Sequence, residues 1–217
     1  MNPDLAHLHP YPFEKLAQLK AGCTPPEDLQ HIALSIGEPK HPTPGFITEA
    51  VMEHLHGLST YPTTIGTIEL RHTIATWLDK RFQLAGNIDA STQVLPVNGT
   101  REALFAFAQA VIDPTKSAPL VVMPNPFYQI YEGAALLAGA HPYFLNCTAE
   151  NDFVPDFSSV SAEVWERCQL LYLCSPGNPT GAVIDQATLT KLIELAHQHD
   201  FIIASDECYS EIYFDDE

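Results

Sequence analysis

Five short apolar runs, alternating with segments of helical periodicity, constrain this chain more than any other feature. The runs are "QVLPV" (93–97), "LVVMP" (120–124), "HPYFLN" (141–146), "QLLYLCS" (169–175) and "FIIAS" (201–205), and each reads as a strand. Between them "REALFAFAQAVI", "QIYEGAALLAGA" and "QATLTKLIELAHQHD" carry apolar residues at helical spacing. The stretch 147–168 is mixed and is expected to begin as a loop. Repeated strand–helix alternation predicts an α/β fold, a mostly parallel sheet with helices on both faces. Ligands of such sheets sit beyond the carboxyl ends of the strands, so the residues that follow each run are the candidate site.

The first part of the chain is built differently. Residues 1–44 are rich in Pro and read as an extended arm around one short helix, Phe13 to Leu19. From residue 45 to residue 217 the pattern is that of the main domain, entered through the helical segments "FITEAVMEHLHGL" and "TIELRHTIATWLDKRF". The start of the chain has neither a basic region nor a long apolar stretch, so no signal peptide is expected. No window of about 18 apolar residues could span a membrane.

Charge narrows the ligand classes. The net charge is −17, from 27 acidic and 10 basic residues, which argues against nucleic acid and anionic membrane surfaces. An anionic small ligand would rely on Arg71, Arg81, Arg101, Arg167 and backbone N–H groups. The five cysteines are odd in number and form no C-x-x-C pair, which fits a reduced, cytoplasmic compartment. The close histidine pairs are two residues apart and diverge on a helix, which argues against a metal site.

Each strand end offers one chemical group. After "QVLPV" come Asn98, Gly99, Thr100 and Arg101, then a helix. Gly99 permits a tight turn, Thr100 can cap the helix, and the N–H groups of a helix start suit a phosphate. An Asn-Gly hairpin is set aside because Ala103, Leu104, Phe107, Ala108 and Val111 keep helical spacing. After "LVVMP" come Phe127 and Tyr128; one of them is expected in the core, and the other could stack on a flat heterocycle. After "QLLYLCS", the Pro- and Gly-rich loop "PGNPTGAV" aims Asn178 as an amide donor, or is an ordinary Asn-Pro turn. After "FIIAS" stands Asp206, either the N-cap of a helix over "ECYSEIY" or the partner of a cationic ring nitrogen. A phosphate cradle, a stacking aromatic, an amide and a carboxylate together match the needs of pyridoxal phosphate.

From "SIGEP" (35–39), "YPTTIGTIELR" (61–71), "NGTREALF" (98–105), "NPFYQIYE" (125–132), "SPGNPTG" (175–181) and "SDECYSEIY" (205–213), the sequence resembles the fold-type I, aspartate-aminotransferase-like enzymes. The resemblance implies pyridoxal 5′-phosphate as cofactor, with Asp206 against the pyridinium nitrogen and Asn178 and Tyr209 on the phenolic oxygen. It puts Tyr128 on the ring face and Gly99, Thr100 and Arg101 along the phosphate. Arg101 departs from the many members that carry an uncharged residue there. Tyr61 would reach the cofactor of a neighbouring subunit, so a homodimer is implied, and Gly37 would meet the substrate carboxylate. The resemblance makes residues 1–44 an arm and part of a small domain, and 45–217 a large cofactor-binding domain without its end. "LSIGEPKHPTP" and "LPVNGTREALFAFAQAVID" resemble members that pass an amino group from glutamate to N-succinyl-2-amino-6-oxopimelate, a 2-oxo acid of lysine and cell-wall precursor synthesis.

The chemistry of this family needs a lysine for the Schiff base. In the family it follows the Asp-x-x-Tyr motif by a few dozen residues. None of Lys15, Lys20, Lys40, Lys80, Lys116 and Lys191 matches that position, and all are expected at the surface. The expectation is therefore an N-terminal piece of a longer aminotransferase, inactive by itself and rich in exposed apolar surface. Another aminotransferase or a β-lyase on the same fold, or a non-catalytic ligand-binding fragment, are the other readings. A nicotinamide dehydrogenase is disfavoured because no G-x-G-x-x-G follows a strand.

Overall fold

The computed structural model describes residues 1–38 and 40–214. Pro39 of the "SIGEP" stretch and the last three residues of the candidate large domain lie outside the described residues. The chain divides into two compact units, one of Met1–His9 with Val97–Glu217 and one of Pro10–Pro96.

The first unit contains the sheet. Strands β1 (Leu120–Asn125), β2 (His141–Asn146), β3 (Cys168–Cys174) and β4 (Ile202–Asp206) are all parallel and run in the order β2-β1-β3-β4. Helices α4 (Thr100–Val111), α5 (Ile130–Leu137), α6 (Ala162–Arg167) and α7 (Gln186–His199) cross between or precede the strands. Period-two geometry sends successive side chains to opposite faces. Thus Val121, Met123, Leu170 and Tyr172 pack with Ala108 of α4 and Tyr131, Ala134 and Ala135 of α5. Their neighbours Val122, Leu171 and Leu173 pack on the other face with Trp165 of α6 and Leu192 of α7. Both faces are covered, which is why β3 reads as an unbroken apolar run. Asp185 caps α7 by accepting from the Thr188 N–H at 2.7 Å. A 3₁₀ turn at Pro3–His7 lies on α5, with His9 3.5 Å from Glu132.

One expected strand does not form. The stretch 93–97 is irregular, and none of the described strands pairs with it. A strand exists through its neighbour's hydrogen bonds, and Pro96 has no N–H to offer. The Val94 carbonyl instead accepts from Arg71 Nε at 2.9 Å.

The second unit holds α1 (Pro12–Lys20), α2 (Gly45–Glu53) and α3 (Ile68–Phe82). Thr67 caps α3 by accepting from the Leu70 N–H at 3.3 Å. Arg71 is buried and also donates through Nη2 to the Ser91 carbonyl, so it ties α3 to the segment 91–94. Gly66 has φ +75°, and a Cβ there would come within 2.9 Å of Pro96 Cγ. The core of this unit is small, namely Ala75, Ala90 and Val94, while Leu34, Phe46, Leu58 and Tyr61 are exposed.

Candidate active site

Asp206 ends β4 in register with Cys174, the last residue of β3. Strand pairing draws the carboxylate inward, and its residue is only 9% exposed. Such burial is costly without donors. Tyr131 Oη donates to Oδ2 at 2.6 Å, and the Cys208 N–H donates to Oδ1 at 3.3 Å. Among the described residues no Lys or Arg forms a salt bridge with it. The helix that an N-cap role for Asp206 would require is absent from the described residues. Successive turns replace it, with Ser210 N–H donating to the Glu207 carbonyl at 3.1 Å and Ile212 N–H to the Tyr209 carbonyl at 3.0 Å. Asp206 is therefore a strand end with a turn after it, and not a helix N-cap.

Tyr131 is held by aromatic packing. Its ring stacks on Tyr172 with centroids 4.5 Å apart, and Tyr172 Oη donates to the Leu104 carbonyl of α4 at 2.7 Å. Burial, then the hydrogen bond to Asp206, push the Tyr131 phenol far above its ordinary range, so it remains a donor. Burial also raises the Cys174 thiol, with the Asn178 backbone opposing and Asp206 adding. The Cys208 thiol is raised by burial, the Thr100 hydroxyl opposing. Tyr209 is raised by burial and then by Cys174, Cys208, Asp206 and Tyr128.

The start of α4 joins this cluster. Gly99, not Thr100, is the N-cap, and Thr100 is the first helical residue. The φ of +154° at Gly99 is a conformation that side chains disfavour, which explains why glycine rather than a capping hydroxyl precedes the helix. No side chain caps this end, and the first-turn N–H groups have no partner within the helix. Thr100 Oγ1 lies 3.5 Å from Cys208 Sγ, and Arg101 Nε donates to Tyr128 Oη at 3.0 Å. The start of α4, the turn after β4 and the segment after β1 thus meet. Of the two aromatics after β1, Phe127 stacks on Phe144 of β2 at 5.1 Å, while Tyr128 meets Tyr131 edge-on at 6.0 Å.

The loop after β3 closes on itself. Gly177 N–H donates to the Ala182 carbonyl at 2.8 Å, and Gly181 N–H to the Gly177 carbonyl at 2.7 Å. A Cβ at Gly177 would lie 2.8 Å from Thr180 Oγ1. Asn178 lines a small cleft with Cys174, Thr180 and Ile184, beside the carboxyl ends of β1 and β3.

The structure therefore places Gly99, Thr100, Arg101, Tyr128, Asn178, Asp206 and Tyr209 at the carboxyl end of the sheet. Tyr61 and Gly37 belong to the other unit, where both are exposed. Lys116 and Lys191, the lysines of the sheet-bearing unit, are exposed, in a turn and in mid-α7. Sequence reasoning passed over Tyr131, Tyr172, Cys174 and Cys208. Tyr131 follows Tyr128 by one helical turn within "NPFYQIYE", a spacing that could have flagged it. Tyr172 carried no signal beyond being apolar enough for a strand.

Comparison with known proteins identifies the family. Residues 30–217 match the family model described as aminotransferase class I and II. The chain is 34% identical over 215 residues to the LL-diaminopimelate aminotransferase of Nitratidesulfovibrio vulgaris (strain DP4), covering 98% of this chain and 54% of that protein. It is 33% identical over 208 residues to the LL-diaminopimelate aminotransferase of Aquifex aeolicus (strain VF5), covering 95% of this chain and 52% of that one. Among solved structures, an aminotransferase from Neisseria meningitidis Z2491 superposes with a TM-score of 0.92 at 50% identity, over 100% of this chain and 55% of that one. Aminotransferase AspB from Helicobacter pylori 26695 superposes with a TM-score of 0.86 at 38% identity, over 95% and 53%. The chain spans about half the length of the relatives it matches. With its sheet, its clustered strand ends and these matches, the chain belongs to the class I and II aminotransferases, a family that uses pyridoxal phosphate.

Proposed function

We propose that the protein is a pyridoxal-phosphate aminotransferase that moves an amino group between glutamate and a 2-oxo acid, and that Asp206 holds the ring nitrogen of the cofactor. The observation that carries this reading is the buried Asp206 carboxylate, supplied with donors by Tyr131 and Cys208 yet without a cationic side chain among the described residues. A protonated ring nitrogen is the partner that such a carboxylate favours. The donor set fits the rest of the cofactor: N–H groups at the start of α4 for phosphate, Tyr128 for the ring face, and Asn178 and Tyr209 for the phenolic oxygen. Pyridoxal phosphate, when bound, supplies an electron-withdrawing ring that stabilises charge at the amino-acid Cα. Asp206 keeps the ring nitrogen protonated, Tyr131 holds the carboxylate in place, and Tyr128 fixes the ring plane.

In this reading residues 1–44 form an arm and part of a small domain, and 45–217 form part of the cofactor-binding domain. Tyr61 serves the cofactor of a second copy in a homodimer, and Gly37 meets the substrate carboxylate. The activity is assigned to the whole enzyme and to the cytoplasm. It requires a cofactor-bearing lysine, and none of the lysines in the sheet-bearing unit lies at this site.

The substrate we favour is N-succinyl-2-amino-6-oxopimelate, supported by the likeness of the arm and of the 95–113 segment. A second reading, unsuccinylated LL-diaminopimelate, is supported by the names of the relatives at 33–34% identity. Coupled assays on the full-length protein separate them. Glutamate with the succinylated oxo acid should yield 2-oxoglutarate, whereas activity confined to LL-diaminopimelate with 2-oxoglutarate would replace the first substrate with the second. Release of ammonia without amino transfer would instead indicate a β-lyase.

A further inference from the structure

Arg101 occupies an electrostatically unfavourable position. It is the second residue of α4, whose first turn carries the positive end of the helix dipole. Glu102 beside it is the residue that such a position favours; a cation there is disfavoured unless something compensates. The side chain reaches outside the helix, where Arg101 Nε donates to Tyr128 Oη at 3.0 Å. Tyr128 is also contacted by Tyr131, which meets it at an interplanar angle of 87° and a centroid distance of 6.0 Å. The ring after β1 thus touches a guanidinium through its hydroxyl and, edge-on, a buried tyrosine that is itself fixed by Asp206 and Tyr172.

We infer that Arg101 is a positioning residue for Tyr128, acting on the ring face of the cofactor pocket through the phenol rather than on the phosphate. This rests on the reading that the pocket takes pyridoxal phosphate. The guanidinium is planar and presents its N–H groups in a fixed fork, so the bond to Tyr128 Oη anchors the tip of the ring, while the edge-on contact with Tyr131 bears on its plane. Lysine, a flexible point charge, would hold the phenol less well. The consequence is that Arg101 favours any pyridoxal-type ring, phosphorylated or not.

The test uses the full-length protein and two ligands with the same ring, pyridoxamine 5′-phosphate and pyridoxamine. Affinity and the induced circular dichroism of the bound ring are recorded for wild type, Arg101→Gln, Arg101→Lys, Tyr128→Phe and the double variant Arg101→Gln/Tyr128→Phe. The inference expects Arg101→Gln to weaken both ligands by the same factor, about three- to tenfold, the order of the net worth of one ordinary hydrogen bond, since the contact acts on the ligand only through Tyr128. Tyr128→Phe should change the dichroism in the same sense, Arg101→Lys should restore the signal only in part, and the double variant should lose no more than the larger single loss. A loss confined to the phosphorylated ligand, or full additivity with Tyr128→Phe, would overturn the inference and leave the cofactor assignment intact. Failure of wild type to bind pyridoxamine 5′-phosphate would overturn both.

Discussion

Tyr131 donates a 2.6 Å hydrogen bond to Asp206, linking residues 75 positions apart across the end of the sheet. One comes from α5 and the other from the last residue of β4, and both are buried. The bond is a charge-assisted donor to a carboxylate that has little access to water.

Replacing Tyr131 with Phe keeps the ring that stacks on Tyr172 and removes only the donor. Asp206 Oδ2 then loses its closest partner, and the native state should be destabilised by about 1–3 kcal/mol. Chemical denaturation measures this directly. An unchanged midpoint would mean that solvent replaces the phenol, and that Asp206 is less enclosed than its 9% exposure implies.

The same tyrosines set an alkaline limit. Burial, reinforced by Asp206, raises the Tyr131 phenol above its ordinary 10.0, and burial raises Tyr172 as well. Below pH 10 both are protonated whether folded or unfolded, so they add no pH dependence. Above about pH 10 the unfolded chain releases these protons and the folded chain retains them, so stability falls as pH rises. Denaturation midpoints between pH 9 and 11 should therefore decline, and the double variant Tyr131→Phe/Tyr172→Phe should flatten that decline.

Gly99 can be tested by a single methyl group. Its φ of +154° disfavours any side chain, and a Cβ would stand 2.8 Å from Glu102 Oε2. Glu102 is flexible and can move, so the backbone is the main cost, about 1–3 kcal/mol for a side chain in this glycine-only region. Gly99→Ala should lower the melting temperature and weaken phosphate-bearing ligands more than their unphosphorylated forms. Equal weakening of both would show that the start of α4 does not hold the phosphate.

Thiol labelling reads the burial pattern. Cys168 is buried and its thiol is pushed up to about 12 by burial, and Cys174 is buried and also raised. Cys23 is exposed. Alkylation followed by mass spectrometry should modify Cys23 well before Cys168 or Cys174. Early modification of Cys174 would mean that the end of β3 opens in the native state.

Much of this arrangement was legible from residue patterns, for reasons that differ by element. The runs 169–175 and 201–205 announce strands because both faces of a covered parallel sheet demand apolar side chains, and β3 and β4 form there. Asp206 stands out because a carboxylate directly after such a run needs an explanation. The run 93–97 looks the same to periodicity, but a strand also needs a partner, and pairing is invisible in a single segment. The capping role given to Thr100 failed for a local reason: the helix entry falls on Gly99, one residue earlier, at a positive φ that favours glycine. Tyr131 and Tyr172 were hidden because their function comes from contacts at separations of 75 and 68 residues, to Asp206 and Leu104.

The central claim is that Asp206 faces the ring nitrogen of pyridoxal phosphate. The direct measurement is the ¹⁵N chemical shift of ring-labelled cofactor bound to the full-length protein, in wild type and in Asp206→Asn. If Asp206 holds the ring nitrogen, that nitrogen is protonated in wild type across neutral pH and unprotonated in the variant. A ring nitrogen that is unprotonated in wild type, or a shift that the substitution leaves unchanged, would contradict it.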